Sequence, residues 1–207
     1  MIFQPGQRVV FIGDSITDCG RRDEYAPYGD GYMNLVRSFT TARHPSVGLT
    51  WVNRGISGDT VRDLVRRWET DAIAEQPDWL SVMIGINDIW RAHQPGYEAD
   101  AVPIDEFTVT LRGLLKTVVE RTGCRLILAD PYFIEPDPAQ PQRADTDRYC
   151  AVVATLAEEF NALHVRTQAA FNTVLASTSP ADWADDQVHP GLPGHAVIAQ
   201  AYLDLIN

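Results

Sequence analysis

The sequence predicts an α/β fold, a three-layer α/β/α sandwich with a central parallel sheet of about five strands. Short apolar runs rich in β-branched residues alternate along the chain with stretches of helical periodicity. The runs are apolar on both faces, as strands covered by helices on both sides must be. Most of them stop abruptly at a glycine or an aspartate, the sign of a chain turning at a sheet rim.

Residues 9–12, Val-Val-Phe-Ile, form the first strand, and Gly13 ends it. A polar loop over 18–27 follows, and Tyr32, Leu35, Val36 and Phe39 recur at helical spacing within 29–43. Residues 49–53 are the second strand. Asp59 or Thr60 caps the next helix, whose inner face is Val61, Leu64, Val65 and Trp68. The third strand covers 79–84 and stops at Gly85. A loop over 90–102 leads to a helix at 104–122, with Gly123 as its C-cap. The fourth strand, 124–129, ends in Asp130-Pro131. Beyond a proline-rich loop at 132–144, Tyr149, Val152, Val153, Leu156 and Phe160 mark a helix. A fifth strand at 162–165, a helical piece at 169–175, a polar stretch at 177–193 and a last helix at 194–206 complete the chain.

The 207 residues suit one domain spanning 1–207, without repeats or a linker. A net charge of −11 argues against nucleic-acid and anionic-membrane partners and favours a neutral or cationic small-molecule substrate. Residues 1–7 are too short and polar for a signal peptide, and no apolar run reaches membrane-spanning length, so a cytoplasmic location is expected. Cys19, Cys124 and Cys150 form no CxxC pair and no metal-ligand cluster, and they suit a reducing compartment. No metal and no cofactor is expected.

Four strand ends place chemistry at one rim: Gly13-Asp14-Ser15, Asn53-Arg54-Gly55, Gly85-Ile86-Asn87-Asp88 and Asp130-Pro131. The C-terminal loop adds Asp186-Gln187-Val188-His189-Pro190. Together they hold the parts of acyl transfer. A serine becomes a nucleophile when an imidazole takes its proton, and a carboxylate fixes that imidazole's tautomer. The Ser15 N–H, the Gly55 N–H and the Asn87 amide supply three donors for an oxyanion. On local spacing alone Ser15 is equally a helix cap, and Asn87 an Asx turn.

Gly13-Asp14-Ser15-Ile16-Thr17, the Gly55 segment, Gly85-Ile86-Asn87-Asp88 and Asp186-x-x-His189 resemble, in order, the four blocks of the SGNH or GDSL hydrolases, a flavodoxin-like α/β/α family. The resemblance covers residues 9–200. It implies Ser15 as nucleophile, His189 as base, Asp186 as its partner, and Gly55 and Asn87 beside the Ser15 amide in the oxyanion hole. The longer stretches around Cys19-Gly20-Arg21, Asn53-Arg54-Gly55-Ile56-Ser57-Gly58-Asp59-Thr60 and Asn87-Asp88-Ile89-Trp90-Arg91 are similar to the intracellular acetylxylan esterases of that superfamily. This implies a carboxylic ester hydrolase that deacetylates xylo-oligosaccharides and forms a homo-oligomer. Lysophospholipases and acyl-CoA thioesterases of the superfamily are the alternative substrates. A non-catalytic sugar- or nucleotide-binding module is the alternative class, although neither a Walker A pattern nor G-x-G-x-x-G occurs.

Asp182 and Asp185 crowd Asp186, which is singled out by its spacing to His189. Asp14, Tyr25, Arg54, Trp90 and Trp183 are candidate substrate contacts, with Tyr28 comparable. The plain readings stand beside them: Asp14 hydrogen-bonds nearby backbone, Trp90 and Trp183 are pocket walls, Asp88 is structural, and His195 caps or packs in the last helix. His44, His93 and His164 lack partners at ligand spacing. A reactive Cys19 is the lesser reading against a buried thiol.

Overall fold

The structure is a computed structural model that describes residues 1–206. Strand β1 (Arg8–Gly13) is an interior strand with a parallel neighbour on each side, and its consecutive side chains go to opposite layers. Val9 and Phe11 join Tyr32 and Tyr202, whereas Val10 and Ile12 join Leu64 and Phe107. The other strands are β2 (Thr50–Gly55), β3 (Trp79–Met83), β4 (Arg125–Ala129) and β5 (Leu163–Val165). They pair in the order β2-β1-β3-β4-β5, and every neighbouring pair is parallel.

Helices α2 (Tyr32–Arg43), α7 (Thr167–Leu175) and α8 (Leu192–Ile206) supply one covering layer. The other comes from α3 (Val61–Trp68), α5 (Ile104–Thr122) and α6 (Pro141–Glu159). Polar pairs tie the layers together inside the core: the Ser81 and Tyr202 hydroxyls meet at 2.8 Å, and Trp68 Nε1 donates to the Leu114 carbonyl at 3.0 Å. From β1 the chain steps to β2 on one side, and from β3 onward it builds the other side. The direction therefore reverses between β1 and β3, and the carboxyl ends of those strands open a crevice there.

Several expected boundaries move. Residues 86–90, which join the third strand to the expected loop at 90–102, wind into a short helix α4 (Ile86–Trp90), and the loop itself holds 3-10 turns at Arg91–His93 and Glu98–Asp100. Helix α6 starts inside the expected proline-rich loop, because Pro141 fits its first turn and the Gln140 side chain accepts the Arg143 N–H at 2.7 Å. Two expected inner-face residues point to water, Phe39 at 58% exposure and Val65 at 52%. The buried stripe of α3 is Val61, Leu64 and Trp68, and Val65 lies a further 100° around the helix. No helix among the described residues is long and apolar enough to cross a membrane.

Leu64→Ala is expected to cost about 2–5 kcal/mol in urea unfolding. Val65→Ala, on the same helix, is expected to stay within about 0.5 kcal/mol of the parent. Similar losses at both positions would contradict the assignment of faces.

Candidate active site

The turn after β1 is set by packing. A Cβ at Gly13 would stand 2.3 Å from the Met83 carbonyl oxygen and 2.5 Å from Thr17 Oγ1, so the position requires glycine. The chain then enters a single helical turn, α1 (Ser15–Asp18), capped by Asp14, whose Oδ1 accepts the Ile16 N–H at 3.0 Å. Asp14, not Ser15, is the cap. Ser15 is the first helical residue, so its N–H has no partner within the helix and its hydroxyl stands at the crevice.

Asp186 organises the loop before α8. Its Oδ1 accepts the N–H groups of Val188 at 3.0 Å and His189 at 2.7 Å, and its Oδ2 meets His189 Nδ1 at 2.7 Å. The other ring nitrogen, Nε2, lies 2.9 Å from Ser15 Oγ across 174 positions of sequence. Burial alone would raise the Asp186 carboxyl, but the hydrogen bonds from the His189 ring and the two N–H groups outweigh it and hold the group below the ordinary range. Asp182 is occupied elsewhere, in a capping box with Ser179. Gln187 adopts a left-handed φ of 64° that few non-glycine residues take. Three hydrogen bonds to the loop after β4 secure it, from the Ile134 N–H to its carbonyl and from its Nε2 to the Ile134 carbonyl and Glu135 Oε2. The buried Tyr132 hydroxyl donates to the Val188 carbonyl at 3.1 Å.

On the opposite side of the crevice, Asn87 lies in the first turn of α4. Its Nδ2 donates one hydrogen to the Asp59 carbonyl at 2.9 Å and has a second to give. Gly55 does not fit the donor role expected of it. Its N–H is taken by Asn53 Oδ1 at 2.8 Å, and a Cβ there would fall 2.2 Å from the Asp18 nitrogen. Gly55 is a glycine because α1 crosses directly over it. Gly58, three residues on, has φ 85°, and its N–H makes no hydrogen bond among the described residues, so of the two glycines it is the one with an N–H left to give. The sequence offered a signal for it, a second glycine immediately before the Asp59-Thr60 helix start. Asp18 Oδ2 fixes the preceding residue by accepting the Ser57 N–H at 3.0 Å and the Ser57 hydroxyl at 3.1 Å.

The remaining candidates divide. Asp14 is buried and is no substrate contact. Arg54 turns from the crevice to pair with Glu75, which also holds Arg8 at the start of β1. Trp90 is half-buried against the core, and Tyr25 is exposed with its ring over Gly20. Trp183 walls a cleft of about 490 Å³ beside His189, with its indole N–H held by Thr178 Oγ1 at 2.8 Å. Asp88 is structural, accepting the Val61 N–H at 3.0 Å, and Asp130 joins β4 to β5 through His164 at 2.6 Å. His195 does not approach Ser15 in the way His189 does. Its Nδ1 accepts the Tyr32 N–H at 3.2 Å, and its Nε2 lies 3.4 Å from Cys19 Sγ. Burial pushes this ring down to about 4 and the Cys19 thiol up to about 12, so both are neutral and neither is activated. Among the described residues no three His, Cys, Asp or Glu side chains are grouped to hold a metal ion.

Residues 11–197 match the family described as GDSL-like lipase/acylhydrolase. The chain belongs to that family. Another similar protein is an acetylxylan esterase of Geobacillus stearothermophilus, 47% identical over 205 residues that make up 96% of this chain and 93% of the relative. The crystal structure of Axe2, an acetylxylan esterase of the same organism, superimposes with a TM-score of 0.96 at 46% identity, covering 100% of this chain and 97% of that one. Matched structures of Axe2 include catalytic mutants in which a serine, an aspartate or a histidine is alanine. LAE5, an alpha/beta hydrolase enzyme from the metagenome of Lake Arreo, superimposes at 0.93 with 39% identity, covering 99% and 96% of the two chains. The five-stranded parallel sheet is thus the sheet of the GDSL acylhydrolases.

Burial raises the Asp14 carboxyl from 3.8 to about 7. A raised acid favours the folded state fully at low pH, and that contribution is lost as pH climbs through about 7. Asp14→Asn keeps an oxygen for the Ile16 N–H, so it is expected to lose less unfolding free energy than the parent between about pH 5 and about pH 8. Parallel stability profiles would contradict the buried, protonated state.

Proposed function

We propose that this protein is a serine esterase that removes acetyl groups from acetylated carbohydrates, foremost xylo-oligosaccharides, with residues 1–207 acting as one catalytic domain. The continuous chain of hydrogen bonds from Ser15 Oγ through His189 to Asp186 carries the reading. Family membership and the 47% identical acetylxylan esterase support the ester chemistry and the acetyl-sugar substrate.

Ser15 Oγ attacks the acetyl carbonyl carbon while His189 Nε2 takes its proton. Asp186, acceptor-only and ionised, fixes the Nδ1–H tautomer and stabilises the imidazolium that forms. The carbonyl oxygen becomes an oxyanion facing the Ser15 N–H, the Gly58 N–H and the free hydrogen of Asn87 Nδ2. On collapse the sugar oxygen leaves with the proton held by His189, and an acetyl ester remains on Ser15. Water then repeats the sequence, releasing acetate and restoring the hydroxyl. The His189 and Asp186 side chains are 56% and 54% exposed, so the site suits a short substituent presented by a bulky sugar better than a long acyl chain needing a tunnel. The net charge of −11 is compatible with such a neutral substrate. Three unpaired cysteines suit a cytoplasmic setting, and the exposed Phe39 on α2 suits a homo-oligomer.

Ser15→Ala is expected to lower turnover of p-nitrophenyl acetate by at least about a thousandfold. Parental turnover in that variant would end the mechanism. For substrate class, the rate is expected to fall steeply from acetyl to octanoyl esters. A flat or rising series would favour a lysophospholipase or thioesterase.

A further inference from the structure

Arg67 lies on α3, away from every motif block, with its side chain only 12% exposed. Its guanidinium makes four hydrogen bonds. Nε donates to Asp59 Oδ2 at 2.6 Å, Nη1 to the Arg54 carbonyl at 2.6 Å and to Asp71 Oδ2 at 3.0 Å, and Nη2 to the Gly13 carbonyl at 2.9 Å. Three of these acceptors stand at the crevice. Gly13 ends β1 two residues before Ser15, Arg54 lies at the end of β2, and Asp59 directly follows Gly58. The Asp59 carbonyl in turn receives the Asn87 amide at 2.9 Å. One planar cation therefore touches two of the segments that carry the three donors and reaches the third through Asp59.

We propose that Arg67 is a positioning residue for acyl transfer: by clamping the Gly13 and Arg54 carbonyls and the Asp59 carboxylate it holds the Ser15, Gly58 and Asn87 donors in register. The inference rests on the esterase reading above. The donors aim at charge that appears only in the transition state, so a loosened frame lowers kcat and leaves ground-state binding intact. Lysine cannot replace the clamp, because a single ammonium lacks the rigid fork that meets three acceptors in one plane. Asp71 shares the guanidinium but touches none of the donor segments, which makes it the control.

The test is steady-state hydrolysis of p-nitrophenyl acetate, with rates expressed per active site titrated by a serine-directed phosphonate, so that misfolded protein does not count. Arg67→Lys is expected to lower kcat about tenfold to a hundredfold while KM stays within about twofold. Asp71→Asn is expected to match the parent. The shape of the pH–rate profile is expected to match that of the parent, since no proton-transferring side chain is changed. If Arg67→Lys does not fold, Asp59→Asn reads the same clamp from its other end. It is expected to show the same loss of kcat at constant KM. Parental kcat in whichever of these variants folds, or a loss confined to KM, would overturn the role of Arg67 while Ser15→Ala still abolished activity. Parental activity in Ser15→Ala would instead remove the esterase reading itself.

Discussion

The 2.9 Å contact between Ser15 Oγ and His189 Nε2 is the constraint on which the site depends. It joins residues 174 positions apart, and each end is fixed by local backbone chemistry. At one end Gly13 and Asp14 force a helical turn directly off β1. At the other, Asp186 gathers two N–H groups and the ring nitrogen of its own loop. The parallel sheet brings the ends together, because β1 and β3 part company at the point where the crevice opens.

The side chains proposed to react and the groups that hold them live in different media. The side chains of His189 and Asp186 are more than half exposed, whereas Asp14 and Asp88 are buried and both raised to about 7. Each of the buried acids accepts a backbone N–H, Ile16 in one case and Val61 in the other. Desolvation works against their ionisation, and each serves its turn as a hydrogen-bonding cap or strut. Exposure to water lowers the penalty for an ionised Asp186 carboxylate and for the imidazolium that the proposed mechanism forms. The design separates a dry frame from a wet reaction centre.

Much of this was legible in the sequence. The five strands followed from apolar runs, most of them ended by glycine or aspartate, Ser15 and Asn87 from polar residues placed at those ends, and Asp186 and His189 from their three-residue spacing in the loop before the last helix. Side-chain direction at tight turns was not legible. Gly55 and Gly58 look alike in the sequence, and only the crossing of α1 over Gly55 and the hydrogen bond from Gly55 to Asn53 show that its N–H is already used. Arg54 lies beside the site in the sequence, yet its side chain runs along the sheet edge to Glu75. Residues that act through long-range pairing left no local pattern. Asp18 reaches Ser57 across 39 positions and Arg67 reaches Gly13 across 54. Periodicity likewise overstated the inner faces of α2 and α3, since Phe39 and Val65 fall outside their buried stripes.

The coupling of one hydroxyl to one imidazole is tested most directly by the rate and site of phosphonylation. A fluorophosphonate added to the parent chain is expected to attach once, on the peptide bearing Ser15, and His189→Ala is expected to slow that attachment by at least about a hundredfold. Attachment to a different residue, or an unchanged rate in His189→Ala, would contradict the account.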